Sequence, residues 1–189
     1  MTPLHRMLPL LLLLMVPPMP AQADEAAAMA ALARGEAVLM LRHALAPGVG
    51  DPDNFRLGDC ATQRNLNDTG RAQARAWGPY LAGHGIDHAR VFTSQWCRCR
   101  DTAEGMAIGE VTEMPSLNSF FQGRGDREEQ TRTTISNVNA LPSGAPVVLV
   151  SHQVNITALT GAYASANEGM ILALPLTRPA KVLARVAPQ

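Results

Sequence analysis

Two short apolar stretches of the chain each end in a histidine. VLMLRH (residues 38–43) ends with Arg42 and His43, and VVLVSH (residues 147–152) ends with His152. Apolar runs of this length, bounded by glycine and proline, are typical of buried strands. In an open α/β sheet, ligands bind at the carboxyl ends of the strands. The pattern therefore predicts that two histidines and an arginine lie at one ligand-binding edge.

Histidine and arginine at such an edge suit phosphoryl transfer. A neutral imidazole is a good nucleophile when a partner on its other nitrogen fixes the tautomer. Guanidinium groups bind phosphate and stabilise the charge on its oxygens in the transition state. Arg42, Arg98, His43 and His152 can form this cradle, so we expect neither a metal ion nor another cofactor.

Metal coordination is the alternative chemistry for a pair of histidines. It requires the carboxylates of Asp51, Asp53 and Asp59 to lie close to them, which the sequence does not decide. The Cys97-x-Cys99 pair has no second pair at zinc-ligand spacing. A site without metal is therefore favoured.

The elements that must position these side chains alternate along the chain. Predicted strands cover residues 37–41, 89–94, 111–114, 147–150, 170–174 and 182–186, and predicted helices cover 24–34, 67–83, 96–108, 128–140 and 153–163. This alternation is typical of a three-layer α/β fold, in which a mostly parallel sheet has helices on both faces. Crossover connections then place the strand carboxyl ends on one side.

The first 23 residues predict a secretory signal peptide. A basic start and an apolar run too short to cross a bilayer precede AQA at 21–23, with cleavage before Asp24. Residues 24–189 are then expected to form a single exported domain, periplasmic or secreted, with no stable membrane insertion after cleavage.

The net charge bears on which partners the protein can bind, and the cysteine content bears on whether it forms a disulfide. Sixteen basic and 16 acidic residues give a formal net charge of zero, which does not favour a nucleic-acid partner. In an exported protein a disulfide is expected. A bridge between Cys97 and Cys99 would be strained, so Cys60 pairs with one of them and the other stays free. The sequence does not determine the oligomeric state.

Four motifs, in order, resemble those of the histidine phosphatase superfamily, which includes the cofactor-dependent phosphoglycerate mutases. LRH (41–43) is similar to its Arg-His-Gly signature, and NLNDTGRAQA (65–74) to its Leu-Thr-x-x-Gly-x-x-Gln-Ala helix start. SQWCRCRDTA (94–103) resembles Ser-x-x-x-Arg-x-x-x-Thr-Ala, and SH (151–152) resembles Ser-His-Gly. The chain looks like an exported member of branch 1 of this superfamily.

The resemblance implies a phosphoglycerate mutase-like fold and a phosphatase that acts on a small phosphorylated molecule or a cell-envelope phosphate. His43 would become phosphohistidine, Arg42 and Arg98 would bind phosphate, and His152 would stabilise the transferring group. Ser94 is interpreted as a loop or cap residue.

The sequence departs from the family pattern after both histidines and at the proton donor. Ala44 and Gln153 replace the two glycines, and Gln153 and Asn155 are candidate minor phosphate ligands or helix-capping residues. Ser119 stands where many members carry a glutamate that acts as general acid. Other members carry an aspartate at the position of Gln153.

The missing acid leaves three alternatives open. Asp126, Glu128 or Glu129 can donate the proton from a neighbouring loop, and Asp126 is favoured. The substrate can have a good leaving group, such as a phosphohistidine or an acyl phosphate. Otherwise the protein is a phospholigand-binding protein with a retained phosphate pocket and little turnover. Our prediction is a metal-independent phosphatase, with the binding protein as the alternative.

Overall fold

The computed structural model describes residues 20–188. Positions 1–19 of the predicted signal peptide therefore lie outside the described residues. The helices and strands follow the predicted order: α1 (Pro20–Ala33), β1 (Ala37–Arg42), α2 (Asp68–Ala82), β2 (Arg90–Thr93), α3 (Cys97–Met106), β3 (Val111–Glu113), α4 (Arg127–Asn139), β4 (Val147–Ser151), α5 (Gln153–Thr160), β5 (Gly169–Ala173) and β6 (Val182–Val186).

The six strands form one sheet in the order β3-β2-β4-β1-β5-β6. Strands β1 to β4 are parallel, whereas β5 runs antiparallel to both β1 and β6. In the register of β1 and β4, Arg42 lies opposite Ser151. The next residues, His43 and His152, therefore leave two adjacent strands at the same edge. The predicted mostly parallel α/β sheet is confirmed.

Helices cover both faces of this sheet, and alternate residues of β1 enter opposite layers. Leu39 and Leu41 pack with residues of α1, α2 and α3, including Trp77. Val38 and Met40 pack on the other side with residues of α4 and α5. Because both faces are buried, the central strands are continuously apolar, and this produced the run that marks β1 in the sequence.

The segment after β1, residues 43–67, is called the β1–α2 loop, and α2 holds its beginning in place. A Cβ on Gly70 would lie 2.1 Å from the carbonyl oxygen of Leu45, so a side chain there would displace the loop. The Leu45 amide donates to Gln73 Oε1 over 2.9 Å, and Asn67 caps the helix through the amide of Gly70. The Gly-x-x-Gln spacing thus positions the chain directly after His43.

None of the helices among the described residues combines the length and the apolar character needed to cross a membrane.

Candidate active site

A cavity of about 150 Å³ opens at the carboxyl edge of the parallel strands. Its walls include Arg42, His43, Arg98 and His152, the four residues predicted to surround a phosphate. The two imidazole centroids are 5.5 Å apart. The structure therefore brings together side chains from three strand ends, as their positions in the sequence predict.

His43 is 2% exposed, and both of its ring nitrogens have partners. Nδ1 lies 2.8 Å from the Ala44 carbonyl oxygen, which assigns the proton to this nitrogen. Nε2 then carries the lone pair and accepts from Arg98 Nε over 3.2 Å. Burial, followed by the positive charge of Arg98, holds the pKa of His43 well below its usual range. The ring is therefore neutral at neutral pH, and its Nε2 lone pair is hydrogen-bonded to the guanidinium of Arg98.

His152 is held by Ser94, whose hydroxyl lies 2.8 Å from His152 Nε2. Arg98 Nη2 lies 3.5 Å from Nδ1, and since arginine only donates, the proton belongs on Nε2. The Ser94 hydroxyl then donates to Asn118 Oδ1 over 3.2 Å. Burial, and next the charge of Arg98, hold the pKa of His152 well below its usual range. Ser94, interpreted from sequence as a loop or cap residue, orients this histidine.

Arg98 is fixed by a buried ion pair that the sequence analysis did not identify. Its Nη1 and Nη2 donate to the two oxygens of Asp51 over 2.7 and 3.2 Å, and both side chains are 4% exposed. Trp96 Nε1 donates to the same carboxylate over 3.0 Å. Burial would raise the pKa of Asp51, but the hydrogen bonds and charge of Arg98 bring it below its ordinary value. Asp51 leaves Arg98 Nε facing His43.

A third arginine of the cavity, Arg64, was also missed. It lies in the β1–α2 loop, donates through Nε to the Gly50 carbonyl over 2.8 Å, and bonds the Ala46 carbonyl through Nη1. Burial, followed by repulsion from Arg98, lowers the pKa of Arg64 to about 10. Its only signal in the sequence is its position directly before the helix-start motif.

Arg42 lines the cavity and does not use all of its donors. Its Nη1 donates to the Tyr163 hydroxyl over 3.2 Å and to the Ala164 carbonyl over 3.1 Å. Its Nε is buried and has no hydrogen-bond partner among the described residues. With Arg64 and Arg98, this gives three guanidinium groups against one carboxylate. That excess of positive charge suits a dianionic phosphate.

Of the two candidate minor phosphate ligands, only Gln153 lines the cavity. Gln153 lines the cavity, with its amide donating to Thr157 Oγ1 over 2.9 Å. Asn155 does not line the cavity, and its amide donates to the Asn118 carbonyl over 2.9 Å. Asn155 therefore links α5 to the loop that follows β3.

The structure does not bring the three candidate proton donors into the cavity. Asp126 is the N-cap of α4 and accepts from the Glu129 amide over 2.8 Å. Glu128 pairs with Arg178, and Glu129 pairs with Arg132, all at the surface. Capping of the exposed helix start explains these positions. Ser119, in contrast, lines the cavity at the place where the family pattern has glutamate.

Cys60 and Cys97 form the disulfide, with their Cα atoms 5.7 Å apart, which resolves the two predicted pairings. Cys99 is free and buried, with its sulfur 3.5 Å from His152 Nε2, and burial raises the pKa of its thiol to about 12. Within residues 20–188, no three His, Cys, Asp or Glu side chains are grouped so that they could share a metal ion.

The sequence model of the histidine phosphatase superfamily (branch 1) matches residues 38–136, a little over half of the chain. No curated protein matches the chain at a significant level.

Solved structures of similar fold include phosphatases with bound ligands. The protein histidine phosphatase SixA complexed with tungstate has a TM-score of 0.57 and 16% identity, over 80% of this chain and 97% of that chain. Phosphoserine phosphatase from Entamoeba histolytica, in complex with 3-phosphoglyceric acid, has a TM-score of 0.57 and 11% identity, over 81% and 98%.

A candidate phosphohistidine phosphatase SixA from Agrobacterium tumefaciens has a TM-score of 0.55 and 19% identity, over 82% of this chain and 99% of that chain. At these identities the likeness concerns the fold.

Proposed function

Because the chain belongs to branch 1 of the histidine phosphatase superfamily, we propose that it is a metal-independent phosphatase acting through a phosphohistidine on His43. The observation that carries this proposal is the neutral, buried imidazole of His43. Its Nε2 lone pair faces Arg98 inside a cavity lined by two further arginines. A phosphate in that cavity would place its phosphorus next to the nucleophile.

The reaction has two steps. His43 Nε2 gives up its hydrogen bond from Arg98 and attacks phosphorus, the bond between phosphorus and the bridging oxygen breaks, and the leaving oxygen takes the electron pair and then a proton from water. The guanidinium groups hold the non-bridging oxygens in the transition state. Water then attacks phosphorus, the P–Nε2 bond breaks and its electron pair returns to Nε2. Phosphate leaves with the protons of the water, and His43 is neutral again. Nδ1 keeps its proton throughout and donates it to the Ala44 carbonyl, which stabilises the positive charge of the intermediate.

The ligands of the similar structures support this proposal. SixA is complexed with tungstate, a tetrahedral oxyanion, and the Entamoeba histolytica phosphatase with 3-phosphoglyceric acid. We propose a small phosphorylated molecule or a cell-envelope phosphate as the substrate of this chain.

Hydrolysis of 4-nitrophenyl phosphate across pH, with and without a chelator, tests the proposal. Turnover should persist with the chelator and be lost in His43→Ala, whereas His88→Ala, at an exposed histidine, should behave like the wild type. Rapid acid-free quenching should trap an alkali-stable phosphohistidine in the wild type. Turnover that survives in His43→Ala would contradict the mechanism.

A second candidate function is phospholigand binding with little turnover. It is favoured by one observation, that the described residues lining the cavity include no aspartate or glutamate to protonate a leaving group. Orthovanadate or phosphate would then bind, and no ester would be hydrolysed.

We also propose that the protein is exported, as the amino-terminal pattern predicts. The Cys60–Cys97 disulfide supports this, because disulfides persist in oxidising compartments. A mature protein beginning at Asp24, found by amino-terminal sequencing, tests it.

A further inference from the structure

Three apolar residues, Val49, Phe121 and Val154, surround the cavity, and we call them the apolar rim. They come from three different segments: the β1–α2 loop, the loop between β3 and α4 (residues 114–126, the β3–α4 loop) and the first turn of α5. Val49 is 89% exposed and Phe121 is 43% exposed. Large apolar side chains left in water beside a binding cavity indicate a contact surface for a ligand.

The two loops of the rim are joined to each other beside the cavity. The Asp51 amide donates to Gln122 Oε1 over 3.3 Å. Arg124 donates to the Pro52 carbonyl over 3.5 Å, and its guanidinium lies 4.4 Å from the ring centroid of Phe55. These contacts join the loop that carries Val49 to the loop that carries Phe121.

The formal charges of the cavity lining are confined to its arginines. Among the described residues that line the cavity, the only formally charged side chains are the three arginines. The polar neighbours of the rim are partly engaged, since the Ser119 hydroxyl accepts from the Phe121 amide over 3.2 Å and the amide nitrogen of Gln153 donates to Thr157. Against the rim itself, a charged or strongly hydrated leaving group would lose water and gain few partners. An apolar group would gain by covering the rim.

The size of the cavity places the leaving group against the rim. Its volume of about 150 Å³ is below the roughly 300–1,000 Å³ of pockets that enclose a drug-sized ligand. The cavity therefore takes the phosphate, and the remainder of the substrate projects past Val49, Phe121 and Val154.

From the proposed function and this rim, we propose that the substrate is a phosphate monoester whose alcohol is uncharged and apolar next to the bridging oxygen. An aromatic ring and a hydrocarbon chain share this chemistry. Amino-acid and polyhydroxylated phosphates would be poor substrates.

Phosphonates test this inference, because they bind without being hydrolysed and so separate contact with the rim from leaving-group chemistry. Dissociation constants of methyl-, benzyl- and hexylphosphonate for the purified protein would be measured by calorimetry. We expect benzyl- or hexylphosphonate to bind at least about tenfold tighter than methylphosphonate, which corresponds to about 55 Å² of apolar surface removed from water. The tighter of the two identifies a ring or a chain.

A matched pair of ligands and matched variants sharpen the test. Propylphosphonate should bind tighter than 2-hydroxyethylphosphonate, which has the same number of non-hydrogen atoms. In Phe121→Ala and in Val49→Ser the ratio of benzyl to methyl affinity should fall toward one. In Leu57→Ala, at an exposed apolar residue that does not line the cavity, the ratio should equal that of the wild type.

Failure of this inference is distinguishable from failure of the proposed function. Suppose that the protein hydrolyses 4-nitrophenyl phosphate but binds all phosphonates with equal affinity. This result would contradict the proposal of an apolar substrate, and it would not contradict the proposed phosphatase activity. No binding of phosphate or of any phosphonate would overturn both.

Discussion

At the scale of single residues, the site depends on how Arg98 is held. Its two terminal nitrogens bind Asp51, and its Nε faces His43. The guanidinium therefore has one edge for the protein and one for the cavity. A lysine could not divide its contacts in this way, because an ammonium is a point charge on a flexible stem.

We expect Asp51→Asn to lower the free energy of unfolding by about 3 kcal/mol, because removing one charge of a buried pair leaves the other uncompensated. Its kcat/KM for 4-nitrophenyl phosphate should fall as Arg98 loses its orientation. Asp53→Asn, at an exposed carboxylate in the same loop, is the control and should change neither quantity. Urea denaturation and steady-state kinetics measure the two effects. An unchanged Asp51→Asn protein would show that the ion pair contributes nothing.

At the scale of elements, the disulfide connects the long β1–α2 loop to the first turn of α3. Cys97 directly precedes Arg98, and Cys60 lies between Asp51 and Arg64 in the chain. The loop that supplies the carboxylate and the helix that supplies its arginine are therefore covalently joined. This connection restrains a segment that has little regular structure of its own.

Reduction of the wild-type disulfide, which closes a 37-residue loop, should lower the free energy of unfolding by about 4 kcal/mol through loop-closure entropy. Thermal unfolding with and without a reductant measures the difference. The double variant Cys60→Ala/Cys97→Ala should unfold at the temperature of the reduced wild type and should not respond to the reductant. A wild-type protein that is equally stable after complete reduction would contradict this expectation.

At the scale of the whole molecule, two neutral imidazoles are buried beside a cluster of positive charge. Both have folded-state pKa values well below the usual value, mainly because of burial. In the unfolded chain both imidazoles have a pKa of about 6.5. Below that pH the unfolded state binds more protons than the folded state, so stability falls as the pH falls.

We expect the free energy of unfolding to decline between about pH 6.5 and pH 5, with up to about 1.4 kcal/mol per pH unit from each buried histidine. The carboxylate of Asp51 has the opposite charge and a lowered pKa, so its contribution is lost separately, below about pH 3.9. Urea denaturation at a series of pH values measures the profile. His152→Gln should have a shallower slope than the wild type, whereas His88→Gln should have the same slope. A flat wild-type profile over this range would contradict the buried neutral rings.

The sequence by itself determined the sheet, the edge of the site and four of its residues. Strands that are buried on both faces are continuously apolar, and the helices that cover them alternate with them along the chain. Local sequence patterns therefore predict the fold. Arg42, His43 and His152 were predictable because each lies at or just beyond a strand end, where the topology brings residues together. Arg98 was predictable because it lies in the first turn of the helix that follows β2.

Only the tertiary structure decided the roles of Asp51, Arg64 and Ser94, and the place of Asp126. Asp51 and Arg64 lie in a long irregular loop, where no periodicity says which side chain turns inward. Their positions depend on contacts with Arg98, which is 47 residues from Asp51 in the chain. Asp126 does not line the cavity, and its carboxylate instead pairs with an amide at the amino end of α4. Long-range partners of this kind leave no local pattern in the sequence, and they are fixed only when the loops pack.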